Sequence, residues 1–73
     1  MPMPEMIFVD SSNIAAIGYD EEAKELYVEF LNGGLYVYRG VPLHVFIEFR
    51  SAPSQGSYLH RSIKNIYSYE KIA

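Results

Sequence analysis

Two tyrosines separated by one residue, Tyr36 and Tyr38, are the side chains best suited to bind a planar ligand. An aromatic ring exposed on a sheet can stack on a nucleic-acid base, and each stacked base contributes about 1–3 kcal/mol. The same rings in a core supply packing volume, and truncation to alanine then costs about 3–5 kcal/mol of stability. We predict the core position for both rings, with the stacking platform as the alternative.

Basic residues that can neutralise a phosphate lie in the second half of the chain. Residues 1–38 carry a net charge of −6 and residues 39–73 a net charge of +3, whereas the whole chain carries −3. A negative overall charge disfavours generic nucleic-acid binding. The candidate phosphate-binding groups are Arg39, Arg50, Arg61 and Lys64. If these four scatter around the folded molecule, the basic half has no functional meaning.

The segment Ser54-Gln55-Gly56-Ser57 predicts a helix start with Ser54 as the N-cap. Free backbone N–H groups at a helix start can hold a phosphate or a carboxylate, here with His60 and Arg61 one turn further on. A capped helix start with a flexible Gly56 explains the same residues without a ligand, and this simpler arrangement is our prediction.

No catalytic constellation or metal site is recognisable, so we expect a protein that is not an enzyme and has no cofactor. The chain has no cysteine, which excludes disulfides and thiolate metal ligands. His44 and His60 fall on different predicted helices without acidic residues at ligand spacing. Ser54 or Ser57 beside His60 lacks an orienting acid and an oxyanion motif. The acidic run at residues 20–22 is typical of a solvated turn.

The strands that position these residues follow from the hydrophobic pattern. Apolar and polar side chains alternate over residues 25–31, which predicts a strand with one apolar face. Further strands are predicted at residues 7–9, 14–19 and 35–39, and residues 67–72 are expected to fold back as an extended edge segment.

A change of period at Val41-Pro42 predicts the first helix, since proline suits a first helical turn. This helix must end near residues 51–52, because Pro53 disfavours helical geometry in the residue before it. The second helix follows Ser54, with Leu59, Ile63 and Ile66 as its buried stripe and His60, Arg61 and Lys64 facing outward.

The sequence Asn32-Gly33-Gly34 is a hairpin signal, and its loop length decides which face Tyr36 and Tyr38 occupy. A two-residue loop turns the tyrosines to the outer face. A three-residue loop, residues 32–34, pairs Phe30 with Tyr36 and Val28 with Tyr38 and turns the tyrosines inward. We predict the three-residue loop, with Gly33 or Gly34 in the left-handed conformation, because it places four large side chains on one face.

These elements predict an α+β fold, a small antiparallel β-meander of three or four strands followed by two short α-helices packed on one face. We expect a single domain over residues 1–73, with a core at about residues 8–69 and a flexible N-terminus at residues 1–6. A chain of 73 residues buries a thin core, with an expected stability of about 3–5 kcal/mol. No targeting or membrane segment is visible, which predicts a cytoplasmic protein with no membrane partner.

The ordered set of motifs resembles the KTSC domain, a family named after the C-terminus of some lysyl-tRNA synthetases and also found as stand-alone bacterial proteins. The matching residues are Ser12, Ile14, Ile17-Gly18-Tyr19-Asp20, Leu26, Val28, Phe30, Gly34, Tyr36, Tyr38, Val41-Pro42, Ala52, Ser54, Gly56, Tyr58, Ile63 and Tyr67. The tyrosine-x-tyrosine pair is the best-known feature of the family, and the resemblance extends from about residue 8 to 69.

The resemblance implies a function only in outline, because the family has no established activity and fold or context does not determine function. RNA binding has been suggested for it from its attachment to a tRNA-charging enzyme. We therefore predict a non-catalytic accessory or binding module with RNA as the suggested ligand. The alternative is a protein-interaction or self-associating module with no nucleic-acid role, which the edge segments at residues 7–9 and 67–72 favour.

Overall fold

The computed structural model describes residues 3–73. These residues form five strands and two helices. The strands are β1 (Ile7–Phe8), β2 (Ile14–Asp20), β3 (Glu25–Phe30), β4 (Leu35–Arg39) and β5 (Ser68–Lys71). The helices, α1 (Leu43–Ser51) and α2 (Gln55–Ser62), lie between β4 and β5 in the chain.

All five strands join one antiparallel sheet in the order β1-β2-β3-β4-β5. The predicted α+β fold is confirmed. The sheet has five strands rather than three or four, because the C-terminal segment returns after the helices and pairs with β4. The segments at residues 7–9 and 67–72 supply the two edge strands, as predicted.

The hairpin between β3 and β4 places the tyrosines inward, but its register differs from the prediction. Val28 pairs with Tyr36 and Leu26 with Tyr38, two residues from the predicted partners. The three-residue loop covers residues 31–33, with Phe30 N–H bonded to Gly34 O at 2.8 Å. Gly33, at φ +98°, takes the left-handed position. A shift of two residues preserves the face of each side chain, so the inward orientation is confirmed although the pairs are wrong.

The helices pack on the face of the sheet that carries Leu26, Val28 and Tyr38. The remaining members of this buried cluster are Ile14, Ile17, Val41, Val45, Phe46, Phe49, Leu59 and Ile63. Helix α1 ends before Ala52, whose extended conformation (φ −67°, ψ 141°) is the one a following proline favours. The prediction for Ile66 is wrong: its side chain is 63% exposed, because α2 ends at Ser62 and Ile66 leaves the helical stripe.

The opposite face of the sheet is crossed by the N-terminal segment. A Cβ atom at Gly18 would lie 2.6 Å from Met6 Sδ and 2.9 Å from Glu5 O, so the missing side chain makes room for this segment. Residues 1 and 2 of the predicted flexible N-terminus lie outside the described residues, and the flexibility of residues 3–6 stays a prediction. Within residues 3–73, neither helix has the length and apolar composition needed to cross a lipid bilayer.

Candidate functional site

A cleft of about 420 Å³ opens between the hairpin end of the sheet and helix α2. Its floor consists of three buried side chains, Ile14 from β2, Tyr38 from β4 and Leu59 from α2. The sheet wall carries aromatic rings, and the helix wall carries basic side chains. Two elements far apart in the chain thus meet around a concave surface whose volume lies in the range of small-molecule sites.

The aromatic wall consists of Phe30, Tyr36 and Tyr69. The ring centroid of Tyr36 lies 5.4 Å from Phe30 in an edge-to-face contact and 5.9 Å from Tyr69 in a tilted contact. Tyr36 is half-buried and Tyr69 is 56% exposed. Burial is the main cause that raises the pKa of Tyr38 above its ordinary value. The rings of this wall, with Tyr36 held by its neighbours, can stack on a planar group.

The basic wall comes from the C-terminal half of α2 and the turn after it. His60, in α2, and Lys64, in the turn after it, both line the cleft. The backbone N–H of Lys64 donates to Leu59 O at 2.8 Å, a five-residue bond of the kind that terminates a helix, and it fixes the turn that carries Lys64. Gly56, at the start of α2, lines the same wall, where a Cβ atom would lie 3.5 Å from Asn13 Nδ2.

Two amide side chains, Asn13 and Asn32, line the remaining rim of the cleft. Asn32 Oδ1 accepts a hydrogen bond from Gly34 N–H at 3.0 Å, which leaves its Nδ2 group as a donor toward a ligand. Asn13 holds the turn through its backbone, because its carbonyl oxygen accepts from Leu31 N–H at 2.8 Å. Amide groups of this kind can bond the polar edge of a base or a phosphate oxygen.

The charges around the cleft are one-sided. The chain carries nine acidic residues and a net charge of −3, yet no aspartate or glutamate lines the cleft among residues 3–73. Within the same residues, Lys64 forms no ion pair, since both salt bridges belong to Arg39. The cleft therefore favours an anionic ligand despite the negative charge of the whole molecule.

The structure brings five of the predicted site residues together in this cleft: Tyr36, Tyr38, Gly56, His60 and Lys64. Tyr38 is 3% exposed and belongs to the core, as predicted, so Tyr36 alone of the pair offers an accessible ring. The two tyrosines of the cleft with accessible ring surface are therefore Tyr36 and Tyr69, not Tyr36 and Tyr38.

The other four predicted residues lie outside the cleft. Arg39 points to the opposite face of the sheet, where it contacts Glu25 at 3.4 Å and Glu70 at 3.0 Å. The remaining three are on or beside the helices: Arg50 lies over the Phe46 ring, Arg61 lies over the Tyr58 ring, and Ser54 caps α2. The four basic residues that the sequence groups in one half are therefore scattered, so the basic half forms no common surface, and Lys64 is the one of the four that lines the cleft.

Six residues that line the cleft are not among the predicted site residues: Asn13, Ile14, Phe30, Asn32, Leu59 and Tyr69. The two asparagines were assigned only to turns, and Tyr69 only to an extended tail. The alternation of residues 67–72 was a usable signal, because it places Tyr69 and Lys71 on one face of a strand. The alternation does not indicate, however, that this strand pairs with β4.

The arrangement offers no recognisable catalytic chemistry among residues 3–73. No group of three or more His, Cys, Asp or Glu side chains there could hold a metal ion. Ser54 Oγ accepts from Ser57 N–H at 3.3 Å and donates to Ser57 Oγ at 3.1 Å, which is the geometry of a helix cap. The predicted N-cap is confirmed.

Comparisons with known proteins point to one family. The KTSC domain model matches residues 10–67. A lysine–tRNA ligase from Nostoc sp. is 39% identical over 64 residues, and one from Trichormus variabilis is 38% identical over 64 residues. Each match covers 88% of this chain but only 11% of the ligase, so the chain spans about a tenth of the length of these relatives.

Shorter relatives match end to end. An uncharacterized protein from Stutzerimonas stutzeri is 36% identical over 67 residues, which cover 90% of this chain and 94% of that protein. The crystal structure of a KTSC domain protein from Yersinia pestis superposes with a TM-score of 0.92 at 36% identity, covering 94% of this chain and 97% of that one. On the match of the family model and the agreement of these folds, the chain belongs to the KTSC domain family.

Proposed function

We propose that the domain is a non-catalytic accessory module that binds single-stranded RNA through the cleft between the sheet and α2. The observation that carries this proposal is the lining of the cleft: aromatic, amide and basic side chains line it, and no acidic side chain of residues 3–73 does. In a chain with a net charge of −3, such a surface favours a ligand that is both planar and anionic.

The aromatic wall supplies the sequence-tolerant part of the binding. A base that enters the cleft stacks on one ring of the aromatic wall, Tyr36 or Tyr69, since the centroids of these two rings lie 5.9 Å apart and the rings are tilted by 43° to each other. Stacking of this kind contributes about 1–3 kcal/mol per base. The amide groups of Asn13 and Asn32 bond the polar edge of the base, and they add selectivity among bases.

The basic wall supplies the electrostatic part. Lys64 is free of intramolecular ion pairs within residues 3–73, so a phosphate can pair with it without displacing a carboxylate. Each phosphate neutralised by a single-stranded ligand releases counterions, and the logarithm of the affinity then falls with the logarithm of salt concentration with a slope of about −0.7 per contact.

The family context favours RNA over other planar anions. Relatives that share this domain are named lysine–tRNA ligases, enzymes whose names identify a tRNA substrate. Fold and context alone do not determine function. The cleft chemistry therefore supports a planar anionic ligand, and the names of the relatives favour RNA among such ligands. An RNA ligand agrees with the cytoplasmic location expected from the sequence.

The direct test is a titration of the domain with tRNA and with short single-stranded RNA at about 20 and 200 mM salt. We expect binding that weakens with salt, and we expect Lys64→Gln to lower the affinity and to reduce the salt slope by about 0.7. Arg61→Gln is the matched control, because it removes one positive charge from α2 outside the cleft.

Two results would overturn the proposal. One is the absence of any binding by the wild-type domain at the lower salt concentration. The other is an equal loss of affinity in Lys64→Gln and Arg61→Gln, since that would attribute binding to overall charge rather than to the cleft.

A self-associating module with no nucleic-acid role is the second candidate, and the unguarded edge of the sheet favours it. Strand β1 consists of Ile7 and Phe8, which are 43% and 84% exposed, whereas β5 carries the charged residues Glu70 and Lys71. Exposed apolar edge strands tend to pair with other chains. Sedimentation over a concentration series tests this candidate: a dimer that Phe8→Lys dissociates supports it, and a monomer at every concentration contradicts it.

A further inference from the structure

A second depression adjoins the cleft on the far side of Tyr36. Its volume is about 350 Å³, and it lies along the β3–β4 hairpin beside the end of β5. Tyr36 and Asn32 line both depressions, so the Tyr36 ring stands between them as a shared wall. The two concavities therefore form one surface that runs across this ring.

Lys71 is the basic side chain of the second depression. The pairing of Tyr36 with Lys71 across β4 and β5 places both side chains next to each other on the same face of the sheet. The stem of Lys71 extends along the hairpin, since a Cβ atom at Gly34 would lie 3.7 Å from Lys71 Cε. Its ammonium group has no ion-pair partner within residues 3–73.

The second depression shares part of the chemistry of the first. Lys71, Tyr36 and Asn32 line it together with Gly33, Gly34 and Ala73, and no aspartate or glutamate side chain of residues 3–73 does. A main-chain oxygen of Ala73, the last residue of the sequence, accepts a hydrogen bond from Leu35 N–H at 3.1 Å, which holds it at the margin of the depression. Two lysines, Lys64 and Lys71, thus lie on either side of one aromatic ring.

We propose that the cleft and the second depression form a single track that binds at least two consecutive nucleotides of an RNA strand. One base stacks in the cleft with its phosphate near Lys64, and the strand crosses Tyr36 so that the next phosphate pairs with Lys71. Asn32 Nδ2 donates at the crossing point. This inference rests on the proposed function and adds to it the path and the minimum length of the ligand.

The test compares uridine 5′-monophosphate with 5′-phosphorylated oligouridylates of two and four nucleotides. We expect the wild-type affinity to rise about tenfold or more from the mononucleotide to the dinucleotide. Lys71→Gln is expected to bind the mononucleotide within about twofold of wild type and to lose most of the gain on lengthening, with a salt slope for the dinucleotide smaller by about 0.7. Lys24→Gln, in the turn before β3 and at the far end from the hairpin, is the matched control.

A second readout locates the added nucleotide. Backbone amide shifts of Gly34 and Lys71 should move with the dinucleotide and the tetranucleotide and not with the mononucleotide, while Gly56 and Lys64 respond to all three. The track is overturned, with the proposed function intact, if the mononucleotide binds as tightly as the longer strands or if Lys71→Gln leaves the dinucleotide affinity unchanged. Absence of binding by all of these ligands overturns the proposed function itself.

Discussion

The replacement of Tyr36 by leucine separates the structural role of this ring from its proposed role in binding. The ring makes two aromatic contacts, with Phe30 at 5.4 Å and with Tyr69 at 5.9 Å, and each such pair contributes about 0.5–1.5 kcal/mol. Leucine keeps an apolar side chain at this half-buried site, so we expect a loss of about 1–3 kcal/mol in the free energy of unfolding. Alanine would cost about 3–5 kcal/mol, comparable to the whole stability expected of so small a domain.

The same substitution removes one stacking surface from both depressions. Loss of a stacked base costs about 1–3 kcal/mol, which corresponds to a decrease in affinity of about 5- to 150-fold. The assay pairs urea denaturation followed by circular dichroism with a fluorescence-anisotropy titration of a labelled tetrauridylate, both at low temperature so that the variant remains folded. The two affinities are compared only under conditions in which the denaturation curves show the same folded fraction for the variant and for the wild-type domain.

Tyr27→Leu is the matched control for Tyr36→Leu. Tyr27 lies on the opposite face of the sheet, paired with Val37, and its hydroxyl donates to Glu25 at 3.2 Å. We expect this control to lose stability and to retain the wild-type affinity. A folded Tyr36→Leu domain that binds the strand as tightly as wild type would refute the stacking argument, and so would an equal loss of affinity in Tyr27→Leu.

Three further predictions concern stability. Gly18→Ala should lower the free energy of unfolding by about 1–3 kcal/mol, because the new methyl group meets Met6 Sδ at 2.6 Å; urea denaturation measures this. Ser54→Ala should cost about 0.5–2 kcal/mol through loss of the cap on α2, seen as a lower melting temperature. Burial and the hydrogen bond to Glu48 raise the pKa of Tyr58 from 10 to about 12 in the folded chain. As pH rises, the Tyr58 hydroxyl therefore loses its proton first in the unfolded chain, and the free energy of unfolding should fall between about pH 10 and 12. Denaturation midpoints across this range should show a shallower fall in Tyr58→Phe.

Each of these predictions has an outcome that contradicts it. An unchanged midpoint in Gly18→Ala would mean that residues 4–6 do not cross the sheet. An effect of Ser54→Ala no larger than that of Ser51→Ala would mean that the hydroxyl of Ser54 caps nothing. A stability profile of Tyr58→Phe parallel to wild type above pH 10 would assign the alkaline loss to the other tyrosines whose pKa burial raises.

Local patterns in the sequence predicted most of the elements, since these depend on neighbouring residues. The alternation at residues 25–31 and the glycines after it predicted a hairpin with both tyrosines inward, and Pro42 and Pro53 bounded the first helix. The register was wrong by two residues, because a three-residue loop at 31–33 and one at 32–34 place every side chain on the same face. Periodicity distinguishes faces and cannot by itself choose between two such registers.

The site was predicted less well, because its residues come from segments distant in the chain. Arg39 was grouped with Tyr38 although adjacent strand residues point to opposite faces, and this error was avoidable from the strand period alone. Tyr69 and Lys71 required the knowledge that the chain returns after two helices to pair with β4. That pairing depends on how the helices pack on the sheet, which no local pattern expresses.

The sequence by itself determined the α+β class, the limits of α1 and the N-cap of α2, because short-range backbone preferences and hydrophobic periodicity control these. It favoured the inward orientation of Tyr36 and Tyr38, and the observed loop at residues 31–33 decided it. Tertiary structure decided that Lys64 and Lys71 flank one aromatic ring and that Arg39 lies among carboxylates on the other face. The physical reason is that these contacts join segments distant in the chain. Strand β5 pairs with β4 only after two intervening helices, and this pairing places Lys71 and Glu70 beside β4.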